Sequence, residues 1–220
     1  MPEPATSDRP LPGRQREARS NDVAVLAAAR EVLSTKGHDA SIADIARHAG
    51  VGVGSIYRRY ATKEALVEAL HLHAVKEAAS RTTELARELE KGAEVDDGAV
   101  VAFLARQITG AGGPILRPPR MAGPIPTELA AASDELGAGL EALIAHDRAA
   151  GLVPAGLTAA DVMQLLQHLR PALPLPRADA DALHLRYLDL IAQGLRAQAD
   201  AGVVLDAGPG WDEWVGAWHG

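Results

Sequence analysis

The stretch that most limits how this chain can fold lies between Ser41 and Tyr60, where two short helices must be joined by a tight turn. Ser41-Ile42-Ala43-Asp44 sets a serine three positions ahead of an acid, the pattern of a reciprocal helix N-cap. The helix it opens can run only to about Ala49, because Gly50-Val51-Gly52-Val53-Gly54 follows. A second helix fits from about Val53 to Tyr60. Ala46 is small enough for the two helices to cross there, Gly50 is free to take positive φ in the turn, and Ile56 anchors the second helix on a core. Ile45, Ala49 and Val51 fill the remaining inward positions. A longer helix comes first, with Val25, Leu26, Ala29, Val32 and Leu33 on one stripe and Gly37 as its stop. The three together are a helix-turn-helix unit. Its second helix has the width of a DNA major groove, and it turns Ser55, Tyr57, Arg58, Arg59 and Tyr60 outward or to its flanks as donors for phosphates and base edges.

No segment alternates with period two, and only 3% of residues are aromatic. Both features favour close-packed helices, so the chain reads as all-α. Thr62 caps a long helix from Lys63 to about Lys91. Further helices fit 99–109, 127–150, 158–169 and 179–201, with a Pro-rich irregular stretch at 114–126. This divides the chain into a basic, Pro-containing flexible arm at 1–18 and a DNA-binding unit at 19–63. A helical body follows at 64–202, then a Trp-containing tail at 203–220.

The net charge of −7 conceals an asymmetry. Residues 1–63 carry ten Lys and Arg against seven Asp and Glu, whereas residues 64–220 carry twelve against twenty-two. A basic first third on an acidic body suits contact with a polyanion at one end only. The absence of cysteine removes disulfides, thiolate metal sites and Cys nucleophiles. No apolar run approaches the ~18 residues of a membrane span, so a soluble, cytoplasmic protein with no membrane partner is expected. The Gly50-Val51-Gly52-Val53-Gly54-Ser55 run lacks a preceding strand and a following Gly-Lys-Ser/Thr, and so lacks the parts of a phosphate-binding loop. Metalloprotease, serine-hydrolase and paired-carboxylate patterns are also missing. A non-enzymatic protein without cofactor or metal is expected: His146, His168 and His184, on three separate helices, could converge on a metal or ligand, but a lone helical His is more often a surface or core residue.

Residues 41–66, from Ser-Ile-Ala-Asp-Ile-Ala-Arg-His-Ala-Gly through Ser-Ile-Tyr-Arg-Arg-Tyr to Lys-Glu-Ala-Leu, resemble the DNA-binding signature of the TetR/AcrR family of transcriptional regulators. The likeness extends over about residues 20–70. It implies a homodimeric regulator that places each Val53–Tyr60 helix in one half of a near-palindromic double-stranded DNA operator, most simply as a repressor released by a small-molecule effector. Carried over by position, Ser55 and Tyr57 match groove or phosphate contacts and Arg59 a phosphate or base contact. Lys63 matches a phosphate contact, and Ser41 the cap from which the first motif helix touches the backbone. Ala43 and Val53 depart from the polar residues common at their positions, which shifts readout toward Arg58, Arg59 and thymine-methyl contacts. Segments 158–169 and 179–201, with Leu165, Leu169, Leu183, Leu188 and Ile191, fit the family's dimer seam.

Beyond residue 70 the likeness extends only to helix number and length, so effector candidates rest on polar groups set among apolar ones. Phe103, Gln107, Ile115, Leu116, Arg117, Met121, Leu143, His146 and His168 qualify, with core packing as the competing role for Phe103 and the leucines. Arg9, Arg14, Arg16 and Arg19 either enter a minor groove or belong to a solvated tail. Trp211, Trp214 and Trp218 share one helical face, which is expected to dock on the body, at the cavity mouth or the dimer seam, unless the tail is disordered. The other functional class is a helical small-molecule-binding or enzymatic protein whose helix-turn-helix no longer reads DNA. Arg58, Arg59 and Lys63 speak against it, since a retired motif has no need of a basic face.

Overall fold

The computed structural model describes residues 13–110 and 124–219. In chain order the helices are α1 (Gly13–Lys36), α2 (Ile42–Ala49), α3 (Val53–Tyr57), α4 (Lys63–Glu90), α5 (Ala99–Gly110), α6 (Thr127–Ala149), α7 (Ala159–Leu169), α8 (Arg177–Asp200) and α9 (Trp211–His219). A 3-10 turn at Gly37–Asp39 joins α1 to α2. Among the described residues the only β pairing is an isolated bridge between Ala155 and Val204. The fold is all-α.

Helix boundaries follow local chemistry closely. The Ser41 hydroxyl accepts from the Asp44 N–H at 3.1 Å while the Asp44 carboxylate accepts from the Ser41 N–H at 3.1 Å. Thr158 and Asp161 repeat the reciprocal cap on α7, and the Thr62 hydroxyl accepts from Ala65 N–H at 3.1 Å to open α4. Gly50 stops α2 at φ 68°, and the Val51 N–H reaches back to the Ala46 carbonyl at 3.0 Å.

Two boundaries differ from the sequence expectation. α1 begins at Gly13 rather than near Ser20, so residues 13–18 of the assigned arm are helical. The run Arg14-Gln15-Arg16-Glu17-Ala18-Arg19 consists of strong helix formers. α3 ends at Tyr57, not Tyr60. There the Arg59 and Tyr60 N–H groups both close on the Ile56 carbonyl, at 3.0 and 2.8 Å, which tightens the last turn so that the chain can extend at Thr62 and enter α4.

Two apolar cores result. The first gathers Val25, Leu26, Ala29, Val32, Leu33, Ile42, Ile45, Ala46 and Ile56 with Leu66 and Leu70 of α4. The second joins Ala78, Ala79 and Leu85 of α4 to α5, α6, α7 and Leu188 of α8. α4 thus belongs to both. At 28 residues it is a rod of about 42 Å.

α5 receives an unusual cap. Asp147 of α6, 0% exposed, accepts from the Ala99 and Val100 N–H groups at 2.7 and 2.8 Å. Gly98 at φ 94° makes room, since a Cβ there would lie 2.7 Å from the Asp147 carboxylate. Burial pushes this carboxyl up, against the pull of the two N–H donors.

The tail docks. α9 lies against α7, and its rings stack at 5.4 Å (Trp211 on Trp214) and 5.7 Å (Trp214 on Trp218). Trp211 sits flat on α6 because position 137 is glycine: a Cβ there would come within 2.6 Å of the indole.

Candidate nucleic-acid interface

α2 and α3 present a surface built by the Gly50 turn and held by Ile56. On α3, Val53, Gly54 and Tyr57 are exposed, and Ser55 is half-buried. No neighbouring atom lies within 4 Å of a Cβ placed on Gly54, so this face can approach a partner closely. Arg58 is exposed, and its Nε donates to the Gly54 carbonyl at 3.2 Å, which lays the side chain back along α3. Ser41 is exposed at the start of α2, its hydroxyl donating to Asp44 at 2.8 Å. Lys63 is half-buried at the start of α4.

Arg59 and Tyr60 occupy different settings. Arg59 forms an ion pair with Asp22 of α1, and Tyr60 is half-buried against the first core. Burial pushes the Tyr60 hydroxyl up, with the Asp22 charge adding to it. These two therefore tie α3 to α1, whereas Tyr57 and Arg58 stand clear. Asp44 plays a comparable tying role in α2. Lys36, the Ser41 hydroxyl and N–H and Arg47 hold its carboxyl well below the usual carboxylate range. Arg9, and the side chains of Arg14, Arg16 and Arg19, lie outside the described residues.

The body contains a cavity between α4, α6, α7 and α9. Its cavity volume is about 110 Å³, below the ~300–1,000 Å³ of sites for drug-sized ligands, a size that suits a compact small molecule. Val67, Leu70, Ala74, Leu136, Met163 and Leu166 line it, all three tryptophans wall one side, and Gln107 reaches it from α5. Phe103, one turn before Gln107, is fully buried and points into the second core, as does Leu143. His146 is exposed at the end of α6, and His168 is exposed on α7, where it pairs with Gln164 at 3.0 Å. Neither lines the cavity. Ile115, Leu116, Arg117 and Met121 lie outside the described residues. Among the described residues no group of three or more His, Cys, Asp or Glu side chains could hold a metal ion.

Sequence reasoning passed over Arg30, Arg81, Arg170 and Gln167, which also line the cavity. For Arg81 a signal existed: it continues the Leu70, Ala74, Ala78 stripe of α4 at helical spacing. Arg170 follows α7 at its C-cap and gave no such signal. Of the seam residues, Leu169 and Leu188 are buried in the protomer's own core. The exposed large apolar residues of α8 are Tyr187 and Leu190, 52% and 54% exposed. One step of helical phase separates the two sets.

Residues 25–70 match the family model for bacterial regulatory proteins of the TetR family. A TetR transcriptional regulator from Streptomyces coelicolor is 31% identical, with 80% of this chain aligned to 98% of that one at a TM-score of 0.53. A TetR transcription regulatory protein from Mycobacterium vanbaalenii is 24% identical over 83% of this chain and 99% of its own, at a TM-score of 0.55. The Bacillus subtilis regulator FadR, solved in complex with stearoyl-CoA, shares the fold at 14% identity and a TM-score of 0.50, over 82% of this chain and 98% of its own. An N-terminal helix-turn-helix followed by a helical body is the arrangement these comparisons share. The chain belongs to the TetR family of bacterial transcriptional regulators.

Proposed function

We propose that this regulator is a homodimeric repressor, which holds a near-palindromic operator through α3 and releases it when a small molecule enters the body cavity. In this reading the site residues are Ser41, Ser55, Tyr57, Arg58 and Lys63 on DNA, with Arg59 and Tyr60 setting the pose of α3. Arg59 reaches a phosphate only by exchanging Asp22 for it. The dimer forms on α8 through Leu183, Tyr187 and Leu190, which recur at helical spacing. Gly194 continues that face with nothing within 4 Å of its Cβ position. Among the described residues no helix is long and apolar enough to cross a membrane, in keeping with a protein working on cytoplasmic DNA.

One observation carries the reading: α4 lines the cavity with Val67, Leu70, Ala74 and Ala78, and its Leu66 and Leu70 sit in the core that holds α3. A ligand that moves α4 therefore moves α3. Half-sites lie about 34–36 Å apart, or a multiple, so a few ångströms of change in the separation of two α3 helices weakens binding. Fluorescence anisotropy against duplex flanking the chain's own gene, at several salt concentrations, tests this. Tight, salt-sensitive binding that random duplex does not compete away is expected. Binding no tighter than to random DNA, with no sequence enriched from a random-duplex pool, would overturn it.

A further inference from the structure

The cavity is apolar over most of its wall, yet three buried N–H donors there have no hydrogen-bond partner among the described residues: Gln107 Nε2, Gln167 Nε2 and Trp211 Nε1. Unpaired buried donors are costly and uncommon. Gln107 is 4% exposed, and its amide is oriented. Its Oε1 accepts from Arg81 Nη1 at 2.6 Å, which leaves the NH2 group as the unmatched end. The cavity therefore lacks acceptors.

Its lining is also net positive. Arg30, Arg81, Arg170 and Glu77 are its charged lining residues. Arg30 and Glu77 satisfy each other, with nitrogen–oxygen distances of 3.3 and 3.4 Å. Arg81 donates to neutral oxygens, the Gln107 amide and the Gly110 carbonyl. Arg170 is 7% exposed. Burial, with the charges of Arg30, Arg177 and Arg81 around it, brings its guanidinium down to about 10, and Asp181 opposes this. A guanidinium in a low-dielectric wall, beside others of its own sign, favours an oxyanion over a neutral group. The indoles of Trp211 and Trp214 stack within 21° of parallel and those of Trp214 and Trp218 within 7°, which makes that wall a set of flat faces.

We propose that the cavity takes an organic acid, with an oxyanion head held by Arg81, Arg170 and the Gln107 NH2 group and a flat apolar body laid against the tryptophan wall. This rests on the effector-cavity reading above and adds the ligand's chemical class. The excess positive charge selects the acid, and the unmatched donors supply its hydrogen bonds. Arg30 belongs to α1, so the acid also pulls on the Arg30–Glu77 pair that ties the DNA-binding unit to α4.

All three tryptophans of the chain line the cavity, so their emission reports occupancy directly. The probes are trans-cinnamate and trans-cinnamamide, alike in shape and different in head-group charge, titrated into the full chain at constant ionic strength. Cinnamate is expected to change the emission saturably and to bind about tenfold more tightly than the amide. Arg81→Met and Arg170→Met are each expected to abolish most of that preference, weakening cinnamate at least about fivefold more than the amide. Arg81 is the less buried of the two, so its variant keeps the test open should Arg170→Met fail to fold by circular dichroism. Equal or tighter binding of the amide, a preference that survives in Arg81→Met, or no saturable response to millimolar cinnamate overturns the proposal. Operator anisotropy in the presence of cinnamate separates the two readings. Acid binding with the expected preference but no release of operator upholds the ligand class and overturns effector-driven release.

Discussion

The two binding regions of this molecule solve opposite problems. On α2 and α3 most of the groups offered to a partner are exposed, and the charged groups that are not offered have partners within the unit: Asp44 with Lys36 and Arg47, Arg59 with Asp22. In the body the offered groups are buried, and some of them are unmatched. DNA is long, charged and wet, so a surface that reads it gains by donors that stay solvated until contact. A small molecule has little area, so the site that holds it must be closed, apolar and short of the groups the ligand brings. Mutations should therefore separate DNA binding from ligand binding, except where they touch α4 or Arg30.

The largest expected effect lies in the body. Asp147→Ala strips two buried N–H groups of their charged acceptor and should cost about 3 kcal/mol of stability. It should lower the melting temperature while the folded fraction keeps its operator affinity, as read by calorimetry and anisotropy on the same sample. Next is Arg58→Ala, which should weaken operator binding by about 1–3 kcal/mol with melting temperature and oligomeric state unchanged. Equal losses in binding and stability would place Arg58 among the tying residues with Arg59. Gly137→Ala forces Trp211 off α6 and should cost about 1–3 kcal/mol. It should blunt the emission response to cinnamate and spare operator affinity.

Smaller effects sharpen the electrostatics. Lys63→Ala should reduce the salt slope of operator binding by about one per subunit. The Asp44 carboxyl is depressed in the folded state by its cap and cation partners, so its ionised form favours folding. That contribution is complete above the unfolded value of 3.8 and is lost as pH falls below it toward the depressed folded value. The stability gap between the native chain and Asp44→Asn should accordingly be full at neutral pH and close in acid. A gap independent of pH would show that the Ser41–Asp44 cap acts through hydrogen bonding alone.

Comparing the two regions also explains what could be read from residues alone. The DNA-binding unit is specified by contacts within four positions: the Ser41–Asp44 cap, the Gly50 stop, the Thr62 cap. The places of Ser55, Tyr57, Arg58 and Lys63 on their helices could therefore be read locally. The end of α3 did not, because the reversal into α4 and the Asp22 partner of Arg59, 37 residues away, are tertiary facts. In the body the caps were equally legible, and Thr158–Asp161 falls where expected. The cavity was not, since Gln107 belongs to it and Phe103, four residues earlier, does not. Which of two neighbours on one apolar helix faces a void depends on the helices opposite. His146 and His168 are polar for the ordinary reason that they face water. The aromatic face of α9 was legible as a face, but its seat was not, because Gly137 becomes meaningful only once Trp211 lies on it.

The proposed coupling of the cavity to the DNA face through α4 and Arg30 is reciprocal. The most direct measurement is therefore the tryptophan emission of the unliganded protein as it binds operator, since every tryptophan is in the cavity wall and none in the DNA-binding unit. With anisotropy showing the operator fully bound, the expected result is a change in emission and a weaker affinity for cinnamate, neither produced by random duplex of equal length. Emission and cinnamate affinity that stay the same on operator saturation would show that the two regions bind independently, and would contradict the coupling.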